Sequence, residues 1–153
     1  NLLYNITFQM IKKFLNKVGY VGINLKKTKS QHLTCILKIN GVEGLFLVDT
    51  GASNSCINNE EREMFNQVDK NKEIEGSGAG TEKLNLKMTK KSLVEYGSKK
   101  IGKFSFFLLN MNHINETMMK SGADPINGII GADFFKKTKA IISYKPLTLF
   151  LEA

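Results

Sequence analysis

The stretch Leu45-Phe46-Leu47-Val48-Asp49-Thr50-Gly51-Ala52-Ser53 decides how this chain is to be read. A short apolar strand delivers a carboxylate straight into a tight polar turn that contains glycine. An Asp in that position often does no more than close an Asx turn at a strand end, and Asp-Thr-Gly by itself is compatible with that role. The surrounding pattern has to decide.

Upstream, Tyr20–Leu25 and Leu33–Ile39 are short apolar stretches rich in β-branched residues, and Asn40-Gly41 separates the second of them from Leu45–Val48. Asn-Gly between apolar runs is a strong hairpin signal, so a meander of strands leads into Asp49. Before it, Met10, Ile11, Phe14, Leu15 and Val18 recur at helical spacing with lysines between them, which predicts a helix over Ile6–Val18 ended by Gly19. Such a basic amphipathic helix can lie on a membrane, but packing against its own domain or a dimer mate is the expectation.

Downstream, Asn59–Gln67 reads as a short helix with Glu60, Glu61 and Glu63 near its positive end. Gly76-Ser77-Gly78-Ala79-Gly80, followed by the alternation of Leu84, Leu86 and Met88, reads as a hairpin with a glycine-rich tip. Leu93–Tyr96 and Phe104–Leu109 predict strands around a Gly97-Ser98 turn, and Ile114–Lys120 a helix ending near Gly122. The remainder predicts Gly128-Ile129-Ile130-Gly131, a helix over Asp133–Thr138 and two closing strands, Ala140–Tyr144 and Leu147–Leu151, around Lys145-Pro146. The class is mainly β with a few short helices.

With 153 residues, 42% hydrophobic and 24% charged, the chain has the size and balance of one ordinary globular domain. Two Pro and two Cys exclude collagen-like, proline-rich and disulfide-framework classes. Cys35 and Cys56 could pair in an oxidising compartment, but two buried thiols are the favoured reading. No apolar run is long enough for a transmembrane span. Against 22 basic residues stand 14 acidic ones, giving +8 and a pI near 9.5. The lysines fall in scattered pairs and Trp is absent, so a solvated basic surface is favoured over nucleic-acid binding. The chain opens at Asn1, as a processed product would, and shows no signal-peptide pattern, so both an exported and a cytoplasmic location stay open.

The longer string, an apolar run followed by Asp-Thr-Gly-Ala-Ser, resembles the active-site loop of retropepsin-like aspartic proteases. Gly76–Gly80 lies about thirty residues after Asp49, where that family carries its flap. Ile129-Ile130-Gly131-Ala132-Asp133-Phe134-Phe135 resembles the family's second motif, two apolar residues and glycine leading into a short helix. The resemblance covers Tyr20 to Leu151 and implies a retropepsin-like acid-protease β-barrel over 20–153, with 1–19 as an N-terminal helical extension outside it.

The resemblance also implies an aspartic endopeptidase, in which two carboxylates share a proton across a water molecule and no covalent enzyme intermediate forms. Only one Asp-Thr-Gly is present, so the second carboxylate would be Asp49 of a second copy in a symmetric homodimer. Thr50 would then hold the two loops across the dimer axis, and Gly51 would let the backbone approach the carboxylates. Ala52 and Ser53 would line the cleft, and Gly76, Ser77, Gly78, Ala79, Gly80 and Thr81 would pair with an extended peptide substrate. Ile129 and Ile130 would pack beneath the loop. Neither metal nor cofactor is implied. Retroviral members often carry an acidic residue where Ser53 stands and an Arg where Ala132 stands, so their dimer-bracing ion pair is not available here, whereas bacterial relatives commonly read Gly-Ala-Ser and Gly-x-Asp-Phe.

Other chemistries find less support. Gly76–Thr81 fails the dinucleotide pattern at its third glycine and no Gly-Lys-Ser/Thr follows. His32 and His113 have no ligand partners at zinc spacing, no Gly-x-Ser-x-Gly elbow appears, and neither cysteine has a redox or papain-like context. Phe104–Phe107 and Met118-Met119 read as core or interface. The alternative function is a catalytically silent retropepsin-like domain that binds peptide without turnover.

Overall fold

The computed structural model describes residues 2–77 and 83–153, and the side chains of all of these except 71–77 and 83–86. Helix α1 (Leu2–Lys17) is followed by strands β1 (Tyr20–Asn24), β2 (Lys26–Lys27), β3 (Leu33–Ile39), β4 (Val42–Val48) and β5 (Cys56–Asn58). After a 3-10 turn at Asn59–Glu61 come β6 (Asp69–Ser77), β7 (Lys83–Thr89), β8 (Ser92–Tyr96), β9 (Lys99–Phe104) and β10 (Phe107–Leu109). The chain closes with α2 (Asn112–Lys120), β11 (Gly128–Ile130), α3 (Ala132–Lys137), β12 (Ile141–Tyr144) and β13 (Leu147–Glu152).

The larger sheet runs β6-β7-β10-β5-β11-β4-β3-β8-β9, with β2 attached to β3, and curls into a half-barrel. The smaller sheet is β1-β13-β12. Two of the pairings at the centre are parallel, β11 on β4 and β10 on β5, and each therefore joins segments distant in sequence.

The central strands are apolar on both faces because both faces are buried. Phe46 and Val48 of β4, Ile57 of β5 and Ile130 of β11 enter the main core with Val21, Ile23, Leu149 and Leu151 of the small sheet. Their neighbours Leu47, Cys56 and Ile129 point the other way, onto Phe107, Met111, Met118 and Ile126. The two-residue alternation thus splits one apolar run between two clusters, with Asp49 at the end of the strand that separates them.

Most of the expected elements are present. Asn40 and Gly41 both hold positive φ, 50° and 85°, as a two-residue turn matched to strand twist requires. The expected helix over Asn59–Gln67 is instead the short 3-10 turn followed by irregular turns. Phe65 is fully buried, 6.3 Å from the Phe46 ring, and its ring occupies the space a Cβ on Gly44 would fill. Asn66 then takes φ 51° and Asn40 Nδ2 donates to the Phe65 carbonyl, so burial of one aromatic overrides helical continuation.

The strand expected over Phe104–Leu109 is two strands at different places in the large sheet: β9 pairs with β8 at one edge, while β10 sits between β5 and β7. The crossing is pinned at Thr89, whose N–H donates to the Phe106 carbonyl and whose Oγ1 accepts from the Phe106 N–H. Phe104, Phe106 and Phe107 are all core, as is Met118, but Met119 is half exposed.

Helix α1 covers the outer face of the small sheet. Phe150, which packs over Gly22, meets Phe8 with ring centroids 6.0 Å apart, and Leu15 and Tyr20 complete the contact. Packing on its own domain is thus met along one edge of the helix, through Phe8 and Leu15. Among the described residues no helix is long and apolar enough to cross a membrane.

Candidate active site

Strand β4 ends at Val48, and the next carboxylate is held by its own loop. The Asp49 N–H donates to the Ile130 carbonyl at 3.0 Å, which extends the parallel pairing of β4 with β11 by one residue. Asp49 Oδ1 accepts from the Gly51 N–H at 2.8 Å, and the Asp49 carbonyl accepts from Ala52 N at 3.2 Å. This is the Asx turn that the residue type favours, here serving to fix the carboxylate at the loop's apex. Asp49 is half-buried, while Thr50, Gly51 and Ser53 are exposed. A Cβ on Gly51 would lie 3.2 Å from Asp49 Oδ1, so glycine keeps the carboxylate uncrowded.

A second segment braces this loop from the side. Gly131 leads into α3, and the first N–H groups of that helix, which have no partner within it, donate to the loop: Ala132 N to the Ala52 carbonyl at 2.8 Å and Asp133 N to the Ser53 carbonyl at 3.2 Å. Ala52 and Ser53 therefore contribute backbone acceptors to the brace as well as standing beside Asp49. Ser55 completes it. Its buried Oγ donates to Asp133 Oδ1 at 2.6 Å and accepts from the Gly131 N–H at 2.9 Å, while its own N–H also donates to Asp133 Oδ1 at 2.9 Å. Asp133 Oδ1 takes the Phe134 N–H at 2.7 Å as well.

Ser55 is a residue that the sequence did not single out. Replacing it with Ala would leave the buried Gly131 N–H without an acceptor, at a cost of about 1–3 kcal/mol. The expected result is a lower urea midpoint with an unchanged slope. An unmoved midpoint would show that the brace carries no stability.

Asn127 is the other unforeseen anchor. Its backbone N–H donates to the Leu45 carbonyl and its Oδ1 accepts from Leu45 N at 2.7 Å, so one residue acts as a strand partner through both main chain and side chain. Its carbonyl accepts from Asn58 N, and its Nδ2 donates to Glu61 Oε2 at 2.9 Å. Ile130 is fully buried and Ile129 nearly so, beneath the Asp49 loop, where the resemblance put them.

Of the other expected site residues, Gly76 and Ser77 lie at the end of β6, paired with Leu84 and Lys83 of β7. That hairpin reaches the site through β7–β10–β5, and β5 starts just after the Asp49 loop. Gly78, Ala79, Gly80 and Thr81 lie outside the described residues.

Cys56, on β5 against Ile129, is a neighbour of the site but not a reagent in it. Burial pushes its thiol up to about 12, opposed by a hydrogen bond from the Ile129 backbone and reinforced by the charges of Asp133 and Asp49. Burial alone pushes Cys35 up to about 12 as well; both cysteines are free. In the unfolded chain these thiols ionise near 9.0, so folding holds two protons that the unfolded state releases. Their contribution is intact below pH 9 and is lost as pH rises toward 12. Between about pH 8 and about pH 10 the loss is about 1.4 kcal/mol per thiol. Urea titrations at the two pH values check this: the loss on going to the higher pH is expected to shrink in Cys35→Ala/Cys56→Ala, and an equal loss would contradict it.

A family model described as aspartyl protease matches residues 36–134. Among solved structures, the chain is similar to a retropepsin-like aspartic protease from Rickettsia conorii, with 19% identity over 87% of this chain and 89% of that one, at a TM-score of 0.58. It is also similar to the retroviral protease-like domain of Ddi1 from Leishmania major, with 23% identity over 78% and 85% of the two chains and a TM-score of 0.52. At these identities the likeness is one of fold. No curated protein sequence matches the chain.

Proposed function

Since the chain belongs to the aspartyl protease family and has the retropepsin-like fold, we propose that it is an aspartic endopeptidase acting as a homodimer, with Asp49 of each copy supplying one carboxylate. The observation that carries this reading is the Asp49 loop: one carboxylate, held by the Gly51 N–H, at the apex of an exposed turn that β11 and α3 brace from below.

One carboxylate cannot both take a proton from water and give one to a carbonyl in the same step. Two of them, related by a two-fold axis and sharing a single proton, can. The ionised Asp49 accepts a proton as water attacks the scissile carbonyl carbon, and the protonated Asp49 of the second copy gives its proton to the carbonyl oxygen. The tetrahedral diol then collapses: the C–N bond breaks, the leaving nitrogen takes a proton from one Asp49, and a diol hydroxyl returns a proton to the other. The exposure of Thr50 and Gly51 suits a loop that meets its own mate, with Thr50 holding the two loops together. Ala52 and Ser53 line the cleft in this reading, and Gly76–Thr81 pairs with the substrate backbone as an added strand. The catalytic unit is 20–153, and 1–19 is an extension to it.

Cleavage of a diverse peptide mixture by wild type and Asp49→Asn, together with sedimentation of both, tests the proposal. Absence of cuts by wild type in its dimeric state would move the chain to the alternative, a peptide-binding domain without turnover.

A further inference from the structure

Helix α1 leaves more apolar side chains exposed than it buries. Phe8 and Leu15 dock on Phe150, yet Leu3 is 73% exposed, Met10 68% and Phe14 62%, with Leu2, Ile6 and Ile11 also open. Leu3, Ile6, Met10 and Phe14 succeed one another at intervals of three and four residues, so they form a continuous edge on the far side of the helix from the one that docks. Lys13 and Lys17 stand one turn beyond Met10 and Phe14 and put their ammonium groups beside that edge, with Lys12 on the polar face. Helix α1 itself carries three lysines and no acidic residue. Glu152, which pairs with Tyr20 in the small sheet, is already bound to Lys139 at 2.7 Å.

An apolar edge flanked by lysines and lacking any acid selects its partner by charge. A second copy would bring the same three lysines and no acid against these, a like-charge arrangement that opposes self-association. A surface of anionic lipid offers what the helix lacks: negative headgroups for Lys13 and Lys17, and an acyl boundary for Leu3, Met10 and Phe14. With its opposite edge fastened to the small sheet, α1 would lie in the plane of the interface, and its lysine stems would reach up to the headgroups.

We propose that α1 is a membrane-surface helix that docks this protein on anionic bilayers. The test is co-sedimentation of the full chain with phosphatidylcholine vesicles, with and without about a third of phosphatidylserine, at low and at raised salt. Binding is expected to be at least about tenfold stronger to the anionic vesicles and to weaken with salt. Met10→Ser/Phe14→Ser and Lys13→Gln/Lys17→Gln alter only solvent-facing side chains, so each is expected to keep the melting temperature while losing at least about tenfold in binding. Three results would overturn the proposal: no pelleting with anionic vesicles, equal binding to neutral ones, or binding untouched in both variants. A smaller sedimenting species for Met10→Ser/Phe14→Ser without vesicles would assign the edge to a second copy and overturn it too.

Discussion

Asp49→Asn is expected to lower kcat/KM for peptide cleavage by about a thousandfold or more, with fold and dimer retained. The size follows from the loss of the group that takes the proton from water: an amide cannot act as that base, and a symmetric pair loses both carboxylates at once. Retention of the fold follows from the loop geometry. The Gly51 N–H donates to Asp49 Oδ1, and an Asn Oδ1 accepts the same bond in the same place. A melting temperature within a few degrees of wild type, with no detectable cuts, is the expected pair of readings. Residual cleavage near the wild-type level would end the proposed mechanism. The symmetry adds a second readout, because mixing wild type with excess variant forms dimers that hold one carboxylate. Activity is then expected to fall well beyond simple dilution, and a fall that only matched dilution would show that the chains do not share a site.

The second large effect is expected from Gly131→Ala. A Cβ there would lie 2.6 Å from the Ala52 carbonyl oxygen and 3.1 Å from the carbonyl carbon and oxygen of Asn54. All three neighbours are backbone, so no side chain can swing aside and the Asp49 loop itself has to move. That displacement strains the Ala132-to-Ala52 bond and the contacts of Ser55 with Gly131 and Asp133. Overpacking of this kind costs about 2–4 kcal/mol, and a carboxylate displaced by about an ångström costs about a hundredfold in kcat/KM. Gly97→Ala is the control: nothing lies within 4 Å of its added Cβ, and only its positive φ of 59° resists, at about 1–2 kcal/mol. Urea midpoints and cleavage rates for the two variants separate the cases. A Gly131→Ala protein as stable and active as wild type would mean that the loop is not clamped by β11 and α3.

What the sequence made legible was local in origin. The apolar run into Asp49, the Asn40-Gly41 turn and the Gly19 helix end each depend on residues a few positions apart, and each is found where the pattern put it. The Asp-Thr-Gly-Ala-Ser string drew in the fold by resemblance, and Ile129-Ile130-Gly131 followed from the same source. The parts that stayed hidden depend on distant segments. Nothing near Ser55 marks it as the bridge to Gly131 and Asp133, and a lone Asn at 127 gives no hint that it pairs twice with Leu45. The irregular turn after Asn58 is set by where Phe65 goes, beside Gly44 and Phe46, and no periodicity within 59–67 carries that information. Phe104–Leu109 is apolar but for Ser105, and only the slot between β5 and β7 explains why it changes places in the sheet.

The brace beneath Asp49 also sets when in the life of the chain the site can exist. Ser55 meets Asp133 across 78 residues and Leu45 meets Asn127 across 82, and the parallel pairing of β4 with β11 waits on the same late segment. Contacts so far apart form only after the intervening chain has closed on itself, which is slow and entropically costly. During synthesis the Asp-Thr-Gly triplet leaves the ribosome well before Asn127, Gly131 and Asp133, the residues that fix its shape. A nascent chain or a truncated fragment ending before Gly131 therefore carries the Asp-Thr-Gly motif without the geometry that holds it.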